Sequence, residues 1–161
     1  IWLRLMIKGK KYSLKEARSK ILAYCAKRES SHQDVRRKLK EWQVNYGHIE
    51  ELIAYLIENN FLNESRFACL YTRSKFNQKS WGWVKIRKEL MTKNISEYCI
   101  KEAYLELDRD EYLARLESLM IKKKNTYTGR PLEIKGKVFK YLVQKGYEYS
   151  LIMDKYKENY D

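Results

Sequence analysis

An apolar triplet recurs three times along this chain at nearly constant spacing, and that spacing constrains the fold more than any other feature. Leu39, Val44 and Ile49 stand five residues apart; Leu90, Ile95 and Ile100 follow 51 residues later, and Leu142, Tyr147 and Ile152 a further 52. A period of this length marks one supersecondary unit repeated in tandem, each copy packing on its neighbour. Each leading leucine closes a basic helical segment, and each central residue opens the entry to the next helix.

The local patterns around the triplets are helical. Ser31–Trp42 reads as one helix, and Ile49, Leu52, Ile53, Leu56 and Ile57 trace one amphipathic face of the next. In the second copy Phe67, Leu70 and Tyr71 share a face, followed by Trp83, Ile86 and Leu90, then Ile100, Ala103, Tyr104 and Leu107. In the third, Leu113, Leu116 and Met120 belong to one helix, Val138, Tyr141 and Leu142 to another, and Ile152 with Tyr156 to the last. Ser13-x-x-Glu16 and Ser30-x-x-Gln33 have the capping-box form, and Ser96 and Ser150 are simple N-cap candidates. Asn94 and Gly146 occupy equivalent places after helices, where both residue types tolerate a left-handed turn. With only 6 Gly and 1 Pro the chain lacks the currency of hairpins and βα loops. The expectation is an all-α fold of three three-helix repeats: 1–62 with an N-terminal extension, 63–107 and 108–161. Asn125–Pro131, which holds the one proline, is expected to be a mobile surface loop.

A net charge of +13 favours an anionic partner, nucleic acid first and an acidic protein surface or membrane second. The charge is unevenly spread: +9 over residues 1–47, +4 over 63–106 and +7 over 119–146, with acidic stretches between them. It gathers on the middle helix of each repeat, at Arg36, Arg37 and Lys38, at Lys85, Arg87 and Lys88, and at Lys135, Lys137 and Lys140. Clusters that recur with the repeat suit a linear polyanion; the plainer alternative is that basic helices only keep the fold in solution.

Individual residues divide between core and contact. Phe67, Ala68 and Tyr71 read as core, and so does Trp83. Trp81 is a candidate either for burial or for exposure, where it could stack on a base or wedge into a protein groove. Arg66 and Arg73 are candidates either for partner contact or for ion pairs with Glu64 or Glu97, and Glu89 for a structural pair or cap.

Little in the sequence suggests catalysis. His32 and His48 have no Cys or Asp at ligand spacing, and no phosphate-binding Gly-rich loop, nucleophile elbow or paired acidic cluster is present, so neither metal nor cofactor is expected. Cys25, Cys69 and Cys99 form no CxxC pair and read as reduced, mostly buried thiols of a cytoplasmic protein. No apolar run approaches the roughly 20 residues that span a bilayer. Ile1–Met6 is too short and mixed for the apolar core of a signal peptide, and the chain, which does not begin with Met, is expected to be open to missing upstream residues.

Four stretches resemble the RecX family. Arg28-x-x-Ser31-x-x-Asp34-Val35-x-x-Lys38-Leu39 is similar to its first signature, and Asn60-Phe61-Leu62-Asn63-Glu64-x-Arg66-Phe67-Ala68-x-x-Tyr71 to its most recognisable block. Gly82-x-x-x-Ile86-x-x-Glu89-Leu90-x-x-Lys93-Asn94-Ile95 resembles the second-repeat helix with its exit, and Leu142-x-x-x-Gly146-Tyr147 with Ile152 the third. Asp34 and Asn94 stand where glutamate and glycine are commoner in the family. The resemblance spans residues 17–156. It implies three tandem three-helix modules in an elongated, bent array. It also implies a monomeric regulator that binds along the groove of the RecA–DNA filament, usually inhibits ATP hydrolysis and strand exchange, and binds single- or double-stranded DNA weakly. The candidate contacts are Arg28, Arg36, Arg37, Lys38, Arg66, Arg73, Trp81, Lys85, Arg87, Lys88, Lys93, Lys135, Lys137 and Lys140. The alternatives are a stand-alone DNA-binding protein built of helix-turn-helix-like units, or a helical adaptor that binds protein alone.

Overall fold

The computed structural model describes residues 11–160, so Ile1–Met6 lies outside the described residues. All regular structure among them is helical: α1 (Leu14–Lys27), α2 (His32–Glu41), α3 (Tyr46–Glu58), α4 (Glu64–Lys79), α5 (Trp83–Thr92), α6 (Glu97–Tyr104), α7 (Arg109–Thr126), α8 (Pro131–Lys145) and α9 (Tyr149–Tyr160). The chain separates into two compact units, the first ending at Phe67 and the second beginning at Ala68, inside α4.

The recurring triplet has a backbone explanation. Gln43, Asn94 and Gly146 all adopt positive φ, at 55°, 57° and 97°. After each, the next amide reaches back to the leucine of the triplet: Val44 to Leu39 (3.1 Å), Ile95 to Leu90 (3.1 Å) and Tyr147 to Leu142 (3.2 Å). The turn residue itself donates three residues back, Gln43 to Lys40, Asn94 to Met91 and Gly146 to Val143. This pair of bonds is the Schellman stop, which satisfies the last carbonyls of a helix and turns the chain sharply. The triplet is therefore the last core leucine of the middle helix, the apolar residue after the turn, and a core residue in the first turn of the next helix. All nine are buried.

Unit 1 packs Ala17, Ile21 and Cys25 of α1, Val35 and Leu39 of α2, and Ile49, Leu52, Ile53 and Leu56 of α3 into one core with Val44 and Leu62. Ile57, expected on this face, is exposed and sits beyond its edge. In unit 2, α5 contributes Ile86 and Leu90, α6 Cys99, Ile100 and Ala103, α7 Tyr112, Leu116 and Met120, and α8 Val138, Phe139 and Leu142. Phe67 and Ala68 are buried as expected, whereas Leu70 is exposed. In α7 the buried stripe begins at Tyr112 rather than Leu113, which is half-buried. The three cysteines are not in disulfides; Cys25 and Cys99 are buried and Cys69 half-buried.

Two caps differ from expectation. The Ser13–Glu16 capping box forms and Ser96 caps α6, but α2 is capped by Ser31, whose hydroxyl accepts from the Asp34 amide (3.0 Å), rather than by Ser30. The one-residue shift puts Val35 and Leu39 on the core side. Ser150 lies inside α9, which starts at Tyr149. The expected loop at 125–131 is shorter, because α7 runs to Thr126 and Pro131 opens α8 at a position where its missing N–H costs nothing.

Candidate nucleic-acid interface

Four of the nine basic residues anticipated on the middle helices, Arg36, Arg37, Lys38 and Arg87, are offset by nearby carboxylates. In unit 1, Arg36 holds Glu50 with two bonds (2.8 and 3.1 Å), Arg37 pairs with Asp34 (3.0 Å) and Lys38 with Glu41 (2.9 Å). The Arg36 hydrogen bond keeps the Glu50 carboxyl below its ordinary range. Arg28 closes the end of α1, its guanidinium over the Tyr24 ring and bonded to the Tyr24 hydroxyl. In unit 2, Arg87 pairs with Glu97 (3.1 Å), and Arg73 with Glu106 (3.4 Å) rather than with either carboxylate anticipated for it. Lys135 lies 4.7 Å from the Tyr156 ring centroid, Lys137 donates to the Thr128 carbonyl (3.3 Å), and the Lys93 amide donates to the carbonyls closing α5. Lys88 and Lys140 are exposed. Exposed pairs of this kind contribute little stability and exchange readily, so the charge is damped rather than removed.

Arg66 has a different role. Its guanidinium spans Glu29 (2.5 Å), the Asn60 side-chain oxygen (3.0 Å) and the Asn60 carbonyl (3.0 Å). Asn60 sits at positive φ and Asn63 caps α4 by accepting from the Arg66 amide (2.8 Å). The block from Asn60 to Phe67 is thus a stapled turn that starts α4, and the ion-pair partner is Glu29, 37 residues upstream, not Glu64 or Glu97.

Five further lysines gather elsewhere in unit 2, where the end of α8 meets the start of α5. The Gly82 amide donates to the Lys145 carbonyl (2.8 Å) and the Val84 amide to the Gly146 carbonyl (2.9 Å). This arrangement joins the negative end of one helix dipole to the positive end of the other. Tyr112 completes the junction: its hydroxyl accepts from the Trp83 amide (2.8 Å) and donates to Glu148 (2.7 Å). Burial pushes the Tyr112 phenol well up, so it stays a donor. Arg115 reaches the Phe76 carbonyl and the Ser80 hydroxyl, and Tyr147 donates to the Ser80 carbonyl (3.0 Å).

Around this junction lie Lys75, Lys79, Lys85, Lys123 and Lys145. Lys75 and Lys85 stand 5.0 and 4.3 Å from the Trp81 ring centroid; Lys123 and Lys145 stand 4.5 and 5.8 Å from that of Tyr141. Lys145 also donates to the Lys79 carbonyl (2.9 Å). Its ammonium is shifted below the ordinary lysine range, first by burial and then by repulsion from Lys85, Lys123 and Lys79. Trp81 is half-buried between these chains, so it is not an open stacking platform. Trp83 is half-buried against Tyr104, with ring centroids 5.0 Å apart.

Comparisons with known proteins agree with this architecture. The RecX second three-helix domain matches residues 63–103, and the RecX third three-helix domain matches residues 110–155. The chain belongs to the RecX family. It is 31% identical to regulatory protein RecX of Clostridium acetobutylicum over 147 residues, covering 88% of this chain and 68% of the relative. Against regulatory protein RecX of Bacillus cytotoxicus it is 28% identical over 132 residues, covering 81% of this chain and 49% of the relative, so it spans about half the length of that protein. The crystal structure of RecX from Lactobacillus salivarius superposes with a TM-score of 0.80 at 22% identity, covering 90% of this chain and 95% of that one. A second crystal structure, of regulatory protein RecX, gives 0.76 at 23% identity over 88% and 73%.

In this RecX-family chain the sequence reading reached Trp81 and Lys85 but missed Lys75, Lys79, Lys123 and Lys145, which come from α4, α7 and α8. The only local signal was their helical spacing from an aromatic: Lys75 follows Tyr71 by four, and Lys145 follows Tyr141 by four. Among the described residues no group of three or more His, Cys, Asp or Glu side chains could hold a metal, and no helix is long and apolar enough to cross a membrane.

Proposed function

We propose that this chain regulates a RecA-type recombinase by binding the RecA–DNA filament and inhibiting its ATPase and strand exchange. It would thereby act in recombination, DNA repair and the SOS response. The observation that carries this reading is the match of two successive three-helix domains to RecX, whose curated relatives are named regulatory proteins. The action is geometric rather than catalytic and uses no cofactor. A basic helical array lies along the filament groove, touches successive subunits and DNA, and hinders the movements that ATP turnover needs. Many weak contacts on one chain then add to a useful affinity. The protein works as a cytoplasmic monomer. Lys88, Lys135, Lys137 and Lys140, with the partly offset arginines Arg36, Arg37, Arg73 and Arg87, are the middle-helix contacts in this reading.

RecA ATPase on single-stranded DNA, measured while the protein is titrated in at near-physiological salt, tests it. Inhibition below one protein per recombinase is the expected result. No effect, together with tight binding to naked DNA, would replace it by the stand-alone DNA-binding reading.

A further inference from the structure

Two large apolar side chains at α6 face solvent: Tyr98 is 70% exposed and Leu105 81%. Leu105, the cap of α6, keeps helical φ and ψ, so the two lie two turns apart on one face. The repeat itself does not require them. The triplets align Tyr98 with Gly47 and Ser150, and Leu105 with Ala54 and Lys157. Those four positions are exposed as well, so small or polar residues serve the fold there. Leu105 and Tyr104 form a ridge between two grooves of unit 2. One, of about 620 Å³, runs past Trp83, Tyr98 and Ile100; the other, of about 240 Å³, is walled by Leu107 and Leu151. A contiguous apolar surface left in water marks a contact site.

The charge around the ridge also departs from the basic trend of the chain. Residues 97–109 carry four acidic and two basic side chains. The acidic ones are engaged: Glu97 holds Arg87, Glu106 holds Arg73, Glu102 accepts from the Tyr98 hydroxyl, and Asp108 caps α7. Lys101 and Arg109 have no ion pair among the described residues. Lys101 lines the larger groove and Arg109 the smaller, so one cation stands on each side of the ridge. In the first repeat the place of Lys101 is taken by Glu50, which holds Arg36 at 2.8 Å. Lysine in that place leaves the groove edge positive.

We propose that this face of the second repeat docks an amphipathic helix of a partner protein, whose apolar stripe covers Tyr98 and Leu105 and whose bordering carboxylates meet Lys101 and Arg109. An apolar helix face laid into a groove is an established mode of recognition, read through anchors one and two turns apart. The central anchors supply most of the affinity once the rim excludes water, and the rim charges set orientation and choice of partner. A nucleic-acid strand fits poorly here. It carries a charge at every nucleotide and would meet the four carboxylates too, whereas a helix can place its carboxylates at two points. That the recombinase presents this helix rests on the filament-regulator reading; the surface itself does not.

The test uses the full chain and a fluorescein-labelled peptide of about 18 residues, five helical turns, with a leucine stripe bordered by glutamates. A lysine-bordered peptide and a scrambled one accompany it. The variants Y98S/L105A and K101E take their residues from the equivalent positions of the other repeats, which keeps the repeat fold. A control, Y46S/L132A, removes two exposed apolar side chains elsewhere. The parent should bind the glutamate-bordered peptide, and Y98S/L105A should bind it at least ~10-fold more weakly, while the control stays within ~2-fold. K101E, and the lysine-bordered peptide on the parent, should each bind at least ~3-fold more weakly. Binding of Y98S/L105A to oligo(dT) should stay within ~2-fold of the parent. A parent that binds no peptide, or all three alike, would overturn the site. So would a control that loses as much as Y98S/L105A, or an equal loss of oligo(dT) binding. Thermal melts accompany each variant; should the double variant melt early, L105A alone replaces it. RecA ATPase then separates the two readings. Inhibition lost in Y98S/L105A makes the recombinase the partner, whereas inhibition unchanged beside lost peptide binding keeps the site and assigns it to another protein. A parent that does not inhibit removes the regulator reading and leaves the peptide result to decide the site.

Discussion

The Gly82 and Gly146 backbones meet so closely that a methyl group on Gly82 would lie 2.4 Å from the Gly146 carbonyl carbon and oxygen. Gly146 in turn holds φ at 97°, and a methyl there would meet the Lys85 Cβ at 2.3 Å. These two glycines let α8 end directly on the start of α5, which places Lys145 beside Lys85.

Gly82→Ala should therefore be costly, because the atoms in the way are backbone and cannot rotate aside. Overpacking of this kind costs roughly 1–3 kcal/mol or more. Gly136→Ala is the contrast: it lies within α8, nothing stands within 4 Å, and the change should stabilise by about 0.5–1 kcal/mol. Urea unfolding of the two variants beside the parent checks both signs. Equal stability of G82A and the parent would show that the junction can open.

Tyr112→Phe removes one oxygen that serves two partners, the Trp83 amide and Glu148. The amide at the start of α5 would lose its acceptor and the half-buried carboxylate its donor, a loss of about 1–3 kcal/mol. The ring and its stack on Phe76, at 5.8 Å between centroids, would remain. The change should therefore lower the unfolding midpoint without altering the urea dependence, and a shift in that dependence would point instead to a rearranged unit 2.

Burial pushes the Cys25 thiol up to about 11. The folded protein thus keeps its proton where the unfolded chain, ionising near 9, has lost it. Stability from this group is complete below about pH 9 and falls as pH rises from there towards 11. Cys25→Ala should show a shallower alkaline decline than the parent in thermal melts between pH 8 and pH 10.5. In the native protein this thiol should also react with a disulfide reagent more slowly than the half-buried Cys69.

The regular part of this fold was open to reading because its signals are local. The triplets follow from the Schellman stop, and two of its three turn residues, Asn94 and Gly146, are types that announce a left-handed turn. Gln43 does the same work at φ 55° but carries no such mark, so its turn could be inferred only from the period. The capping-box form pointed to Ser30, whereas the hydroxyl of its neighbour Ser31 caps α2. The charge partners were not legible, since Arg66 finds Glu29 37 residues away and Lys145 finds Lys79 66 residues away. Helix-by-helix charge counting therefore located the basic segments. It could not see that most of their arginines are offset, or that lysines of four different helices meet at a junction.

Arg66 separates a structural role from a contact role. Its guanidinium ties Glu29, at the exit of α1, to Asn60, in the turn before α4, and the other Glu29 oxygen is already buried without a partner. Arg66→Ala would leave that carboxylate facing unsatisfied polar groups, and hydrogen bonds to charged groups are worth roughly 1.5–3 kcal/mol each. Partial exposure of the pair brings the expected loss to about 1–2 kcal/mol. Arg66→Lys keeps the charge but cannot span three acceptors with a planar fork, so it should recover less than half of the loss. Both variants, measured well below their unfolding midpoints, should bind oligo(dT) within ~2-fold of the parent and inhibit the recombinase as the parent does. A variant that melts like the parent yet loses inhibition would move Arg66 from the turn that starts α4 to the surface that meets the filament.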